Sequence, residues 1–256
     1  MTINPVSVTD RTSYVLAANP GIMTLDGTNT WILREPGAER SVLVDPGPSD
    51  ETHLQAVLAA AGPVGLVLFT HRHFDHTQSL ARIVELTGAP ARSTDPEFTR
   101  GADPLVDGET IVVDGLEIEV IATPGHTTDS TCFRLGADGS LLSGDTILGR
   151  GTTVIAHPDG VLGPYLDSLA HIRELIEEGL VARILPGHGP VIDDPAAVVD
   201  FYLEHRAERL DQVRAAVDSG ATTPRAVVEA VYKDVDESLW GAAELSVAAQ
   251  LDYLRT

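Results

Sequence analysis

Thr70-His71-Arg72-His73-Phe74-Asp75-His76 places three histidines and an aspartate within six positions, directly behind the apolar run Leu66-Val67-Leu68-Phe69. A run of that composition and length reads as a buried strand, so the polar stretch is the loop at its end. A buried imidazole without a partner costs desolvation energy, and a cluster of three needs either water or a shared ligand. Neutral imidazoles and carboxylates are the donors that suit Zn2+, with Mn2+ or Fe in a similar site, and a tight loop can aim alternate side chains at two neighbouring ions. Taken alone, the stretch would also suit a solvated loop.

The rest of the chain argues against the solvated loop. Four more apolar runs end in a potential ligand or its orienter: Ser41-Val42-Leu43-Val44 before Asp45, Glu119-Val120-Ile121-Ala122 before Thr123-Pro124-Gly125-His126, Leu141-Leu142-Ser143-Gly144 before Asp145, and Arg183-Ile184-Leu185 before Pro186-Gly187-His188. Glycine beside these side chains lets the backbone turn tightly enough for them to converge. Helical patterns over 51–61, 78–87 and 165–178 alternate with the strands, an α/β arrangement, while 106–143 is strand-rich and suggests antiparallel hairpins, an α+β element. From Pro195 the pattern becomes purely helical. Val198, Val199, Tyr202, Leu203, Leu210, Val213 and Val217 fall at helical spacing; Thr223-Pro224 starts a further helix over 225–232, and a last one covers about 239–254. The expected division is a catalytic domain over 1–194 and a helical domain over 195–256 packed against it, with no internal repeat.

Composition narrows the function. The formal net charge is −21, from 38 acidic and 17 basic residues, so a phosphate polymer is repelled unless a local basic groove or a bound metal intervenes. A single cysteine, Cys132, rules out an intramolecular disulfide and a multi-cysteine zinc site. No stretch approaches the ~20 apolar residues of a membrane span. Met1 to Asp10 lacks the basic and apolar regions of a secretory signal, which makes a soluble, cytoplasmic protein the expectation.

The order of these motifs resembles the metallo-β-lactamase superfamily, whose fold is an αββα sandwich with a binuclear metal site between sheet edges. The resemblance implies one metal on His71, His73 and His126, a second on Asp75, His76 and His188, and Asp145 bridging them. Asp45, in Val-Asp-Pro-Gly, matches a family aspartate that orients the site, in keeping with the carboxylates that stand behind metal-bound imidazoles. Gly27-Thr28-Asn29-Thr30, Gly149-Arg150-Gly151-Thr152-Thr153 and the helical tail resemble a subfamily of lactamase-like proteins with a winged-helix-like C-terminal domain, some of whose members are described as endoribonucleases. Against that pattern the chain stops at Leu254-Arg255-Thr256, before a complete β-wing, which weakens the expectation that the tail reads nucleic acid. The chain is also similar to hydroxyacylglutathione hydrolases.

Other residues receive plainer readings. Zinc β-lactamases of the commonest class use a cysteine on the second metal; here Asp75 and Asp145 stand instead, so antibiotic hydrolysis is not expected. Cys132 lies in a strand and reads as a small buried apolar residue, dispensable for catalysis. His53, His171 and His205 fall in helices away from the strand ends and read as solvated or core-satisfied. Asn29, His157 and Tyr165 are candidate substrate contacts, set against backbone support, exposed-loop chemistry and packing respectively.

Two divalent ions ~3.5–4 Å apart lower the pKa of a shared water toward neutrality. The expected reaction is hydrolysis by metal-bound hydroxide, with two Zn ions as cofactors, or Mn or Fe in their place. Asp75 and Asp145 are the expected catalytic carboxylates, Asp75 positioning the water or passing on its proton. The favoured substrate is a small ester or thioester, because the charge disfavours a polyanion; the alternative is cleavage of single-stranded RNA. An iron-dependent oxygenase or oxidoreductase on the same fold fits less well, since no flavin domain is present and all seven dinuclear positions are. Exposed apolar positions in the tail would support a homodimer.

Overall fold

Side-chain alternation along the strands assigns each residue to one of two cores, and the layers follow from it. In the computed structural model, which describes residues 4–233 and 236–255, strands β1 (Val6–Ser7), β2 (Thr12–Leu16), β3 (Asn29–Leu33), β4 (Ser41–Val44), β5 (Val64–Leu68) and β6 (Ala91–Arg92) lie side by side in chain order. A second sheet runs β11-β10-β9-β8-β7, built from β7 (Thr110–Val113), β8 (Leu116–Ala122), β9 (Thr131–Leu135), β10 (Ser140–Gly144) and β11 (Arg183–Pro186). Val42 and Val44 of β4 face the second sheet, packing with Ile118, Val120, Phe133, Leu142 and Leu185. Leu43 between them points the other way, onto helices α1 (Glu51–Ala61) and α3 (Leu80–Thr87) through Leu54, Val57 and Ile83.

The second sheet repeats the arrangement. Leu142 and Leu185 enter the inter-sheet core, while Leu141 and Ile184 turn outward against α4 (Leu162–Glu177) and the first half of α5 (Pro195–Asp218). Each fully buried residue of this size stabilises the fold by roughly 1.5–3 kcal/mol before entropy is set against it. The result is an αββα sandwich. Parallel pairing of β4 with β5 and of β10 with β11 sends the C-terminal ends of both pairs to the same edge.

Element bounds differ from the sequence expectation where local chemistry is ambiguous. β5 spans Val64–Leu68, so Phe69 and Thr70 already belong to the loop that delivers His71. The helix expected over 78–87 is α3, which begins two residues later with Ser79 before it, and a separate single turn that was not expected, α2 (Phe74–Thr77), precedes it. α4 begins three residues earlier than expected, with Pro164 in its first turn, where a missing N–H costs nothing. β2 and β3 were not expected; Asn29, read as a turn residue, opens β3.

The tail consists of α5, α6 (Pro224–Val231) and α7 (Trp240–Tyr253), and no strand occurs among the described residues beyond Pro186. Asp194 and Thr223 accept from the Ala197 and Ala226 backbone N–H groups and so cap α5 and α6, each with proline in the first turn. α5 spans two cores: Val199, Tyr202 and Leu210 join the core under the second sheet, and Val213 and Ala216 join a separate cluster with Val227, Val228, Val247 and Leu251. Among the described residues no helix is long and apolar enough to cross a membrane. The first three residues of the Met1–Asp10 stretch, and Thr256 at the other end, lie outside the described residues.

Candidate metal centre

Five strand ends deliver the polar cluster: Asp45 after β4, the 70–76 loop after β5, His126 after β8, Asp145 after β10 and His188 after β11. Close approach between the two sheets makes this edge work. Gly144, at φ +49, lies so near Thr70 that an added Cβ would sit 2.5 Å from its Oγ1; a Cβ on Gly187 would come within 2.7 Å of Asp145 Oδ1 and 2.8 Å of His76 Cε1.

Two groups of donor atoms result, His71, His73, His126 and Asp145 in one, Asp75, His76 and His188 in the other, with all donors within each lying within 4.8 Å of one another. Asp145 stands between them. Its Oδ2 is 4.0 Å from His71 Nε2, 3.9 Å from His126 Nε2 and 3.4 Å from His188 Nε2, and its Oδ1 is 3.5 Å from His76 Nε2. Asp75 Oδ2 lies 3.0 Å from His188 Nε2 and 3.5 Å from His76 Nε2.

The surrounding hydrogen bonds fix which ring nitrogen faces the cluster. His126 Nδ1 lies 3.0 Å from the Val154 carbonyl and His188 Nδ1 3.0 Å from the Gly27 carbonyl, so both must donate there. His76 Nδ1 donates to Asp45 Oδ2 at 2.9 Å. Thr70 spends its hydroxyl proton on Asp45 Oδ2 at 2.6 Å, so His71 Nδ1, 3.0 Å from that hydroxyl, donates to it. Four rings thereby turn Nε2 to the centre; His73 presents Nδ1, 3.0 Å from His126 Nε2. Asp45 is itself held by the Thr70 backbone N–H at 2.8 Å.

This donor set fits divalent cations. His71 Nε2 and Asp145 Oδ1 are buried with no hydrogen-bond partner, and His76 Nε2 and His188 Nε2 face each other at 3.2 Å with Nδ1 of each already committed. Protonation shows the same demand for positive charge. Burial and the neighbouring His76 push His71 well below the ordinary imidazole range, and burial takes His126 down to about 4. Burial also opposes charge on His76 and His188, yet the carboxylates outweigh it: Asp145, Asp45 and Asp75 hold His76 well above its ordinary value, and Asp145 and Asp75 raise His188 to about 9. Against its own burial, Asp145 is held well below the usual carboxylate range by His188 and His76.

The other expected contacts lie elsewhere. Asn29 is buried and donates its amide to the Pro186 carbonyl at 3.0 Å and the Gly189 carbonyl at 2.9 Å, bracing the loop that carries His188. Tyr165 is buried in the core under the second sheet and donates to the Thr146 carbonyl at 2.8 Å. His157 pairs with Asp252 of α7 at 3.0 Å, on a separate cavity. His53 is buried in α1, away from the cluster, with its Nε2 2.8 Å from Thr30 Oγ1 and its Nδ1 without a hydrogen-bond partner. Arg72, which sequence reasoning passed over, lies between two clustered histidines and gathers carboxylates from three loops: Asp159, Asp129 at 3.5 Å and Asp95 at 3.9 Å. Its place inside the histidine stretch was the available signal.

Residues 23–188 match the family described as the metallo-beta-lactamase superfamily, and residues 223–256 match the beta-lactamase associated winged helix domain. The beta-lactamase-like protein 2 homolog of Drosophila melanogaster is 33% identical, covering 96% of this chain and 88% of that protein. The atrochrysone carboxyl ACP thioesterase of Aspergillus fumigatus is 36% identical, covering 87% of this chain and 73% of that protein. Among solved structures, a metallo-beta-lactamase family protein from Thermus thermophilus shares the fold with a TM-score of 0.80 at 22% identity, over 97% of this chain and 94% of that one.

Proposed function

Because the chain belongs to the metallo-beta-lactamase superfamily, and is thus an enzyme of that fold, we propose that it is a two-metal hydrolase of small esters or thioesters. The observation that carries this reading is the Asp145 carboxylate, placed between two groups of donors that each lack a cation's worth of charge. His71, His73 and His126 would hold one ion, Asp75, His76 and His188 the other, with Asp145 shared and zinc the expected metal for these donors. Bound there, the ions would supply water activated at neutral pH and positive charge beside the developing oxyanion.

The chain's own residues would do the rest. Asp45 and Thr70 keep His76 and His71 in the tautomer that offers Nε2 to the centre. Asp75, the carboxylate of the cluster that reaches solvent at 28% exposure, would orient the attacking water and pass its proton outward. The chain divides into a catalytic body over 1–194 and an appended helical part over 195–256.

A small neutral or singly charged substrate suits the surroundings better than RNA. The chain carries −21, and the arginines near the centre are already engaged, Arg72 with three aspartates and Arg150 with Asp26. The thioesterase name of one relative points the same way. The test is elemental analysis of the purified protein together with turnover of an acyl thioester and of single-stranded RNA, each repeated with Asp145→Ala. About two zinc ions per chain and metal-dependent thioester hydrolysis lost in the variant support the reading. RNA cleavage instead, or activity that survives the substitution, overturns it.

A further inference from the structure

We propose that Arg72 is a positioning residue for the first metal: its guanidinium ties the loop of His71 and His73 to the loop of His126 and to the loop that orients His126, and so sets where His73 stands. This rests on the two-metal reading above and adds to it a residue that acts through the ligands rather than on the substrate.

The first group contains one ring that no polar neighbour orients. His71 Nδ1 is fixed by the Thr70 hydroxyl and His126 Nδ1 by the Val154 carbonyl. Among the described residues the ring of His73 has no carbonyl, hydroxyl or carboxylate partner. Its one hydrogen-bonding neighbour is His126 Nε2, 3.0 Å from its Nδ1, and both of these nitrogens face the centre. With Nδ1 given to a cation, the ring is held by the edges of His71 and His126 and by the backbone that carries it. The Thr77 hydroxyl, at 3.2 Å from the Arg72 carbonyl and 3.0 Å from that of His73, braces this backbone from within the same loop. The tie to other loops is the Arg72 side chain.

Its guanidinium meets each of the relevant loops with a different nitrogen or pair of nitrogens. Nε lies 3.5 Å from Asp129 Oδ1, Nη2 donates to Thr128 Oγ1 and to Asp159, and Nη1 lies 3.9 Å from Asp95 Oδ2. Thr128 and Asp129 belong to the turn that carries His126, closed by the Thr123 N–H on the Ser130 carbonyl and the Gly125 N–H on the Thr127 carbonyl, both at 2.9 Å. Asp159 follows the Val154 carbonyl that orients His126. Asp129 makes the strongest demand: it is 6% exposed, and both its carboxylate oxygens, like Arg72 Nε, are buried without a hydrogen-bond partner. Such a carboxylate needs a cation beside it, and among the described residues that cation is Arg72. A planar guanidinium can face several loops at once, which an ammonium point charge cannot do as well. His76 and His188, in the second group, are oriented instead by Asp45 and the Gly27 carbonyl.

The experiment measures zinc affinity by competition with a chelating dye in two backgrounds, His188→Ala, which leaves the first group whole, and His126→Ala, which leaves the second. Arg72→Met is expected to weaken zinc about tenfold in the first background and less than about twofold in the second, with Arg72→Lys between Met and Arg. In the otherwise unaltered chain the same substitution should weaken one of two binding steps. Arg72→Met also strands Asp129, so the thermal midpoint should drop by about 5 °C. Adding Asp129→Asn should restore the midpoint and leave zinc affinity low, which separates a lost tie from a weakened fold. Zinc affinity unchanged in the first background, weakened equally in both, or restored together with the midpoint overturns the proposal and leaves the hydrolase reading intact. The expected pattern in a chain that hydrolyses no thioester supports the tie and overturns the hydrolase reading; an unaltered chain that binds no zinc overturns both.

Discussion

The two donor groups sit side by side but hold charge differently. His71 and His126 are buried and His73 half-buried, and burial lowers the proton affinity of all three imidazoles, so that group offers neutral nitrogen ready for a cation. Asp75, His76 and His188 combine carboxylate with imidazole, and Asp45 adds a further negative charge behind His76; there the rings retain protons that stand in for a cation. At the same fold edge, a cation at the first group would compete with little, and one at the second would have to displace protons. Asp145 is common to both, which makes it the residue through which occupancy of one is felt by the other.

The largest effect should come from removing what the groups share. Asp145→Ala is expected to lower kcat by on the order of 10³-fold and to reduce metal content at both groups, read by steady-state kinetics and elemental analysis with circular dichroism as a check on folding. A variant that keeps both ions would break the picture of a common carboxylate. Next, Asp45→Ala removes the acceptor of His76 Nδ1 and of Thr70; it reaches the first group only at His71, through the Thr70 hydroxyl, and touches neither His73 nor His126. Zinc affinity should fall about 10–100-fold at the second group and much less at the first, measured by competition with a chelating dye. Equal weakening of both would remove the distinction drawn between them.

Acidity sharpens the contrast further. His188, raised to about 9, carries its proton at neutral pH in the metal-free protein and must release it to bind metal, whereas His126, near 4, has none to release. Affinity at the second group should therefore fall as pH drops below about 9, by about tenfold per unit for one displaced proton, while the first holds until well below pH 6. Equilibrium dialysis at pH 6 and pH 8 should give lower zinc stoichiometry at the lower pH. For the metal-free fold the signs are opposite: the raised His188 contributes stability below pH 6.5 that is lost as pH rises through 9, and the depressed His126 contributes stability that is lost as pH falls from 6.5 through 4. The smallest effect belongs to Cys132, on β9, whose thiol burial pushes up to about 11. Cys132→Ala should leave the balance between the groups and the turnover unchanged, and the folded protein should resist alkylation at pH 8; rapid labelling would contradict that burial.

The sequence made the strand ends legible because each ligand type followed directly on an apolar run, as at Leu66–Phe69 before His71 and Ile184–Leu185 before His188. The tail was legible for a local reason too: Asp194-Pro195 and Thr223-Pro224 announce helix starts without help from tertiary structure. β2 was missed because Thr12-Ser13-Tyr14 offers little apolar signal, its pairing with β3 being what defines it. Asn29, Tyr165 and His157 could not be sorted from sequence, since the groups that occupy their polar atoms are distant in the chain: Pro186, Thr146 and Asp252. Arg72 was overlooked for the same reason, its three carboxylates arriving from separate loops.

The 24 residues of α5 belong to both cores, Val199 and Tyr202 to one and Val213 and Ala216 to the other. Each residue along such a helix turns the chain by about 100° and advances it about 1.5 Å. A one-residue insertion between Tyr202 and Val213 would therefore swing the tail's apolar face about a quarter-turn out of line, whereas adding a whole turn would keep the facing and only lengthen the arm. Change in the length of this chain is thus geared: the tail can be re-spaced in steps of a turn, and intermediate steps cost it its seat against the body.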